Sequence, residues 1–121
     1  MSLGLFAAVG LLGGLGAVGR FLLDAAVSAP STGAFPWGTL AVNLSGAFAL
    51  GVLVGAAVEG DTYRLAGTGL LGAYTTFSTW ALESHRLAEE DAPRAGLANL
   101  VGSLALGLLA AWIGRELGEA L

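Results

Sequence analysis

The sequence predicts an all-α membrane protein of four transmembrane helices, the third of them interrupted. Three observations carry that expectation. Of 121 residues, 55% are hydrophobic and only 12% are charged; a soluble domain of this size keeps about a quarter of its residues charged. The charged residues stand in small clusters that separate long uncharged runs. One of those runs carries four hydroxyls within residues 75–79, Thr75, Thr76, Ser78 and Thr79.

A helix needs about 20 apolar residues to cross roughly 30 Å of hydrocarbon, with every backbone group bonded internally. Residues 1–19 carry no charge, and Arg20 and Asp24 follow, which predicts a first helix near 3–27. The run could pass for a signal peptide, but no positive residue precedes it and three spans follow, so it reads as a span. Residues 25–58 are again uncharged. Pro30, Ser31, Thr32, Gly33 and Pro36 predict a loop inside that run, and a second helix near 37–58 follows. Glu59, Asp61 and Arg64 form a short polar break. Residues 65–82 are uncharged and predict a third helix near 65–85, ending among Glu83, His85, Arg86, Glu89, Glu90, Asp91 and Arg94. Residues 95–114 predict a fourth helix near 94–115, with Asp91 as its cap and Pro93 in its first turn. Trp37, Tyr63 and Trp112 fall near span ends, where amphipathic rings favour the interface. The whole chain, 1–121, is one domain.

Four spans put both termini on one side. Arg64 and Arg115 belong to that side, and Arg20, Arg86 and Arg94 to the other. Orientation follows the Lys/Arg excess in short loops, and two against three is almost none, so insertion in either direction is expected. Small residues recur at helical spacing: Gly10 and Gly14; Ala47, Gly51 and Gly55; Ser103, Gly107 and Ala111, with Asn99 one turn before. Such stripes let helix backbones approach closely in lipid. Four short helices enclose little interior, so a pathway would be completed by a second subunit, antiparallel in a chain that inserts both ways.

Several chemistries are excluded. The chain has no cysteine and one histidine, which removes disulfides, thiolate metal sites and cysteine nucleophiles. No Ser/His/Asp set converges, so it is not expected to be an enzyme. A net charge of −4 with no lysine argues against a nucleic-acid partner. Gly14-Leu15-Gly16-Ala17-Val18-Gly19 fits G-x-G-x-x-G, but no strand precedes it and Asp24 comes too early for a ribose contact. It reads as helix packing.

The remaining polar residues are the candidates. Arg20 either snorkels to the interface or attracts anions at a mouth. Asn43 is an amide in hydrocarbon and must find partners, either by joining helices or by offering N–H donors along a polar path. The 75–79 hydroxyls can bond their own backbone and loosen the helix just after Gly72. A break at membrane depth requires a buried or cavity-lining position and would release carbonyls able to hold a small cation. Phe77 and Trp80 would share a face, and their positive ring edges suit an anion.

At these residues the chain resembles the Fluc (CrcB) fluoride channel family. Three blocks carry the resemblance: Gly13-x-x-Gly16-Ala17-x-x-Arg20-Phe21; Gly38-Thr39-Leu40-Ala41-Val42-Asn43-Leu44-Ser45-Gly46-Ala47-Phe48, similar to GTLxVNxxGSF; and Gly69-x-x-Gly72-x-x-Thr75-Thr76-Phe77-Ser78-Thr79, similar to GxxGxxTTFST. The resemblance implies an antiparallel, dual-topology dimer with two pores in a prokaryotic plasma (inner) membrane. Fluoride would leave the cytoplasm passively, limiting its toxicity. It implies Asn43 as the pore amide, Phe77 and Trp80 at the two aromatic pore positions, Ser78 and Thr79 on the polar track, and Ser103 as a fourth-helix pore serine. Arg20 and Glu83 match the flanking charges. A structural sodium ion at the dimer centre would be held by backbone carbonyls of Gly72 and Thr75 from both subunits. Trp80 replaces the usual phenylalanine, Ala81 a common serine, and Asn99 an expected tyrosine. Some members pair unlike subunits, so the partner is a second copy or an unlike chain. Fluoride is small and strongly hydrated, so it needs dense donors to replace its water, and Asn, Ser and Thr supply them. Two other readings stand beside this one. A proton-coupled small multidrug exporter would want a carboxylate in the first span, and residues 1–19 contain none. A non-conducting partner subunit would explain the glycines but not the hydroxyls.

Overall fold

The structure, a computed structural model, describes residues 1–30 and 33–121; the loop expected at Ser31 and Thr32 lies outside the described residues. Every regular element among them is helical. Helix α1 spans Leu3–Ser28, α2 Trp37–Gly55, α3 residues 60–74, α4 Phe77–Glu89 and α5 Pro93–Glu119. Helices α1, α2 and α5 are each long and apolar enough to cross a membrane. The 19 residues of α2 extend about 28 Å at 1.5 Å per residue. Helices α3 and α4 are shorter and part at Thr75 and Thr76.

The ends of these helices have local causes. Ser2 caps α1, its Oγ accepting the Leu5 N–H at 3.1 Å. Helix α2 stops at Gly55 instead of running to 58. There Ala57 turns left-handed (φ 57°), the Val58 N–H bonds to the Leu53 carbonyl and the Ala57 N–H to the Val54 carbonyl. That pair of bonds is the Schellman end of a helix. Helix α3 begins at Gly60, ahead of the expected start near 65, so most of the polar break is itself helical and Arg64 pairs with Asp61 at 2.8 Å. Between Arg64 and Leu71 it winds as a π-helix. Helix α4 ends in a second Schellman turn, Ala92 N–H to Leu87 carbonyl, with Asp91 at φ 59°. Asp91 therefore ends α4 and does not cap α5. Ala92 holds that position without a side-chain bond, and Pro93 opens the helix.

Packing rests on glycine. Helices α2 and α5 form the most extensive contact in the subunit. Gly51 and Gly55 lie on the carbonyls of Ala111 and Arg115, while Gly114 and Gly118 lie on those of Phe48 and Val52. A Cβ at any of the four would strike backbone. Helix α1 meets α3 through Gly13, Gly16 and Gly19, with Gly16 against the Leu70 carbonyl. The expected stripe holds at Gly51 and Gly55, and the seams differ from expectation elsewhere. A Cβ at Gly10, Gly14 or Gly107 would meet nothing within 4 Å, so those glycines make no close approach within the subunit.

The interior is polar for its size. Val42 and Leu87 are the buried hydrophobic side chains, and Thr39, Thr76, Ser84 and Asn99 are buried beside them. Leu3, Phe6, Leu11, Leu15, Val18 and Phe21 of α1 are exposed. Apolar outside and hydrogen-bonded inside is the arrangement that suits lipid as solvent.

Candidate functional site

The break between α3 and α4 organises the site. Thr75 (ψ 159°) and Thr76 (φ −145°, ψ 123°) are extended; the Thr75 N–H still bonds to the Leu71 carbonyl at 3.0 Å, and the helical ladder stops at Thr76. Asn43 of α2 replaces that ladder. Its Nδ2 donates to the Thr76 carbonyl at 2.8 Å, and its Oδ1 accepts the Thr76 N–H at 2.8 Å. Thr76 then starts α4, its Oγ1 accepting the Thr79 N–H at 3.2 Å.

Four carbonyls, those of Gly72, Ala73, Tyr74 and Thr75, lose their helical donors as a result. In an unbroken helix the Thr76 N–H would go to the Gly72 carbonyl and the Thr79 N–H to the Thr75 carbonyl. Asn43 and the Thr76 hydroxyl take those donors instead. Gly72 and Thr75 are thus among the four residues with released oxygens, hard neutral donors of the kind that hold small cations where transporter helices unwind.

Two cavities flank the break. The larger, about 490 Å³ and open on one side, is lined by Asn43, Gly72, Thr75, Phe77, Trp80 and Ser103 among others. The smaller, about 250 Å³, is lined by Arg20, Phe21, Asp24, Thr39, Thr76 and Thr79 with their neighbours. Thr76 belongs to both walls. The structure thus brings Asn43, Phe77, Trp80, Ser103, Gly72 and Thr75 together, and sets Arg20 and Thr79 on the other side of Thr76. Ser78 is exposed beside Thr76, its Oγ 3.5 Å from the Thr76 hydroxyl. Glu83 is half-buried and accepts a short 2.6 Å hydrogen bond from Thr39. Phe77 and Trp80 meet edge to face, their centroids 5.1 Å apart.

Counting hydrogens shows which groups can still donate. An amide nitrogen has two; Asn43 gives one to Thr76 and keeps one. The Thr39 hydroxyl donates to Glu83, Thr75 to the Leu71 carbonyl and Thr76 to Thr79 Oγ1. Thr79 Oγ1 accepts in that bond and keeps its own proton. The Ser103 hydroxyl donates to Asn99 Oδ1 at 3.1 Å.

Thr39 and Ser84 were not among the sequence candidates; Thr76 entered only as one of the 75–79 hydroxyls, and Asn99 only as a neighbour of a small-residue stripe and a departure from the family pattern. Asn99 is fully buried, donates to Ser84 Oγ at 2.8 Å, and its main-chain carbonyl accepts the Trp80 indole N–H at 3.0 Å. The signal that marks Asn43, an amide in an uncharged run, marks Asn99 equally.

Residues 7–115 match the family model described as CrcB-like protein, Camphor Resistance (CrcB). The fluoride-specific ion channel FluC 2 of Mycolicibacterium paratuberculosis is 54% identical over 111 residues, covering 92% of this chain and 91% of that protein. FluC 2 of Mycobacterium bovis is 47% identical over 119 residues, 98% and 94% of the two chains. FluC 1 of Symbiobacterium thermophilum is 44% identical over 116 residues, 91% and 94%. With a family match across most of its length and relatives this similar, the chain belongs to the CrcB-like family.

Proposed function

We propose that this chain is a subunit of a fluoride-selective channel in a bacterial plasma membrane, releasing fluoride passively from the cytoplasm and so limiting its toxicity. It is a channel, not an enzyme. One observation carries the reading. Asn43, held rigid by two bonds to Thr76, has one N–H left over beside a cavity whose wall includes the Phe77–Trp80 pair. A fixed N–H donor together with positive ring edges replaces water around a small anion without the deep trap of a buried cation. Thr79 and Ser78 continue the donor path, and Arg20, beside the smaller cavity, recruits the anion at its mouth. Glu83, bonded to Thr39, flanks that mouth.

The functional unit is a dimer, antiparallel for the near-even arginine distribution. Gly10, Gly14 and Gly107 without neighbours and the open side of the larger cavity support a second subunit against these surfaces. A copy of this chain would bring the Gly72 and Thr75 carbonyls of both subunits together. Four neutral oxygens fit sodium, which would act as a structural pin between two broken helices and take no part in conduction.

Reconstitution of the purified chain in liposomes tests the function. Fluoride release should follow the collapse of the membrane potential alone, with chloride retained. Release that requires a proton gradient, or that carries chloride equally, would reject the reading.

A further inference from the structure

The wall opposite Asn43 is governed by a residue outside the pathway. Asn99 is completely buried in the π-helical turn of α5, Ala98–Gly102. It meets Trp80 twice. Its main-chain carbonyl accepts the indole Nε1–H at 3.0 Å, and its Nδ2 lies 3.4 Å from the Trp80 carbonyl. The same Nδ2 donates to Ser84 Oγ at 2.8 Å, while Ser84 donates to the Trp80 carbonyl at 2.9 Å. These partners fix which way the amide points. The Trp80 carbonyl can only accept, so the nitrogen faces it and the oxygen faces Ser103. Ser103 must then give its single proton to Asn99 Oδ1.

Resting on the fluoride reading above, we propose that Asn99 is a positioning residue of the pathway. Its main-chain carbonyl turns the Trp80 indole N–H, and its side-chain Oδ1 the Ser103 proton, away from the larger cavity, so that Trp80 and Ser103 offer an ion aromatic edge and no exchangeable proton. The two departures from the family pattern then form one unit. Tryptophan brings an N–H that phenylalanine lacks, and the Asn99 segment removes it. An indole N–H left facing the cavity would hold a fluoride ion beside the Asn43 donor and slow its departure, since conduction requires binding weak enough to leave.

The test is an NMR measurement on the full chain labelled at the indole nitrogen, with Trp37→Phe and Trp112→Phe leaving Trp80 as the sole indole. In the Asn99-containing chain the Trp80 N–H should exchange slowly with solvent and stay unmoved on titration with sodium fluoride. A fluoride-dependent shift, or exchange as fast as a free indole, would overturn the proposal. Asn99→Ala, checked by size exclusion, keeps the main-chain carbonyl that accepts the indole N–H, so that exchange should stay slow, while the Ser103 proton loses its acceptor and is free to turn to the cavity. Its fluoride efflux should fall by about tenfold, the cost of roughly 1.4 kcal/mol in a buried hydrogen-bonded group. Efflux unchanged in Asn99→Ala would also overturn it. Should that variant fail to fold, the titration of the Asn99-containing chain still decides. Absence of fluoride efflux from the unsubstituted chain would reject the fluoride reading instead, and the indole exchange would still judge the network.

Discussion

Helices α2 and α5 and the break between α3 and α4 solve the problem of a lipid solvent in opposite ways. The α2–α5 seam removes side chains. Gly51 and Gly55 on one helix and Gly114 and Gly118 on the other let each backbone rest on the other's carbonyls, and shape alone holds them. The break adds polar chemistry. Thr76 abandons the helical ladder, and Asn43 supplies its lost partners from another helix. The first region tolerates no added atom and carries no donor. The second is held by hydrogen bonds and has one N–H to spare.

Substitutions should separate the two. The largest effect is expected from Gly51→Leu, whose side chain would drive into the Ala111 carbonyl. Overpacking of this kind costs about 3 kcal/mol or more, and loss of the monodisperse peak on size exclusion would register it. Gly107→Leu, facing open space within the subunit, should leave subunit folding intact, as read by circular dichroism in detergent. Next comes Asn43→Ala. It strands the Thr76 N–H and carbonyl, a loss of about 2–3 kcal/mol, so fluoride efflux should collapse and thermal stability fall together. Thr76→Val removes only the hydroxyl that starts α4. A lost cap costs about 1 kcal/mol, visible as a drop in melting temperature with the dimer retained. The smallest effect is a gain: Ala57→Gly relieves a left-handed alanine and should add about 1 kcal/mol to stability in the same assay.

Much of this arrangement was legible in the residues, and the part that was not has physical reasons. The spans follow from where Arg20, Asp24, the 59–64 cluster and the 83–94 cluster stand, because charge is costly in hydrocarbon. Thr75 to Thr79 announced a break, because hydroxyls compete for backbone bonds. The role of Asp91 was not legible. Between α4 and α5 the same residue could cap the second helix or turn left-handed to end the first, and the hydrogen bonds of the Schellman turn prevailed. Gly10 and Gly14 carried the expected four-residue spacing, yet the seam on α1 runs through Gly13, Gly16 and Gly19. Which stripe packs inside a subunit depends on how helices cross, which spacing alone does not state. The Asn99 network and the Thr39–Glu83 bond escaped notice because their partners lie 15 to 44 residues away in sequence.

The most direct test compares fluoride efflux from liposomes holding the unsubstituted chain with efflux from liposomes holding equal amounts of intact Asn43→Ala dimer. Rapid release from the first and none above the protein-free leak from the second is the expected result. Equal rates from the two would show that the amide at the break takes no part in passing the ion, and would contradict the account at its centre.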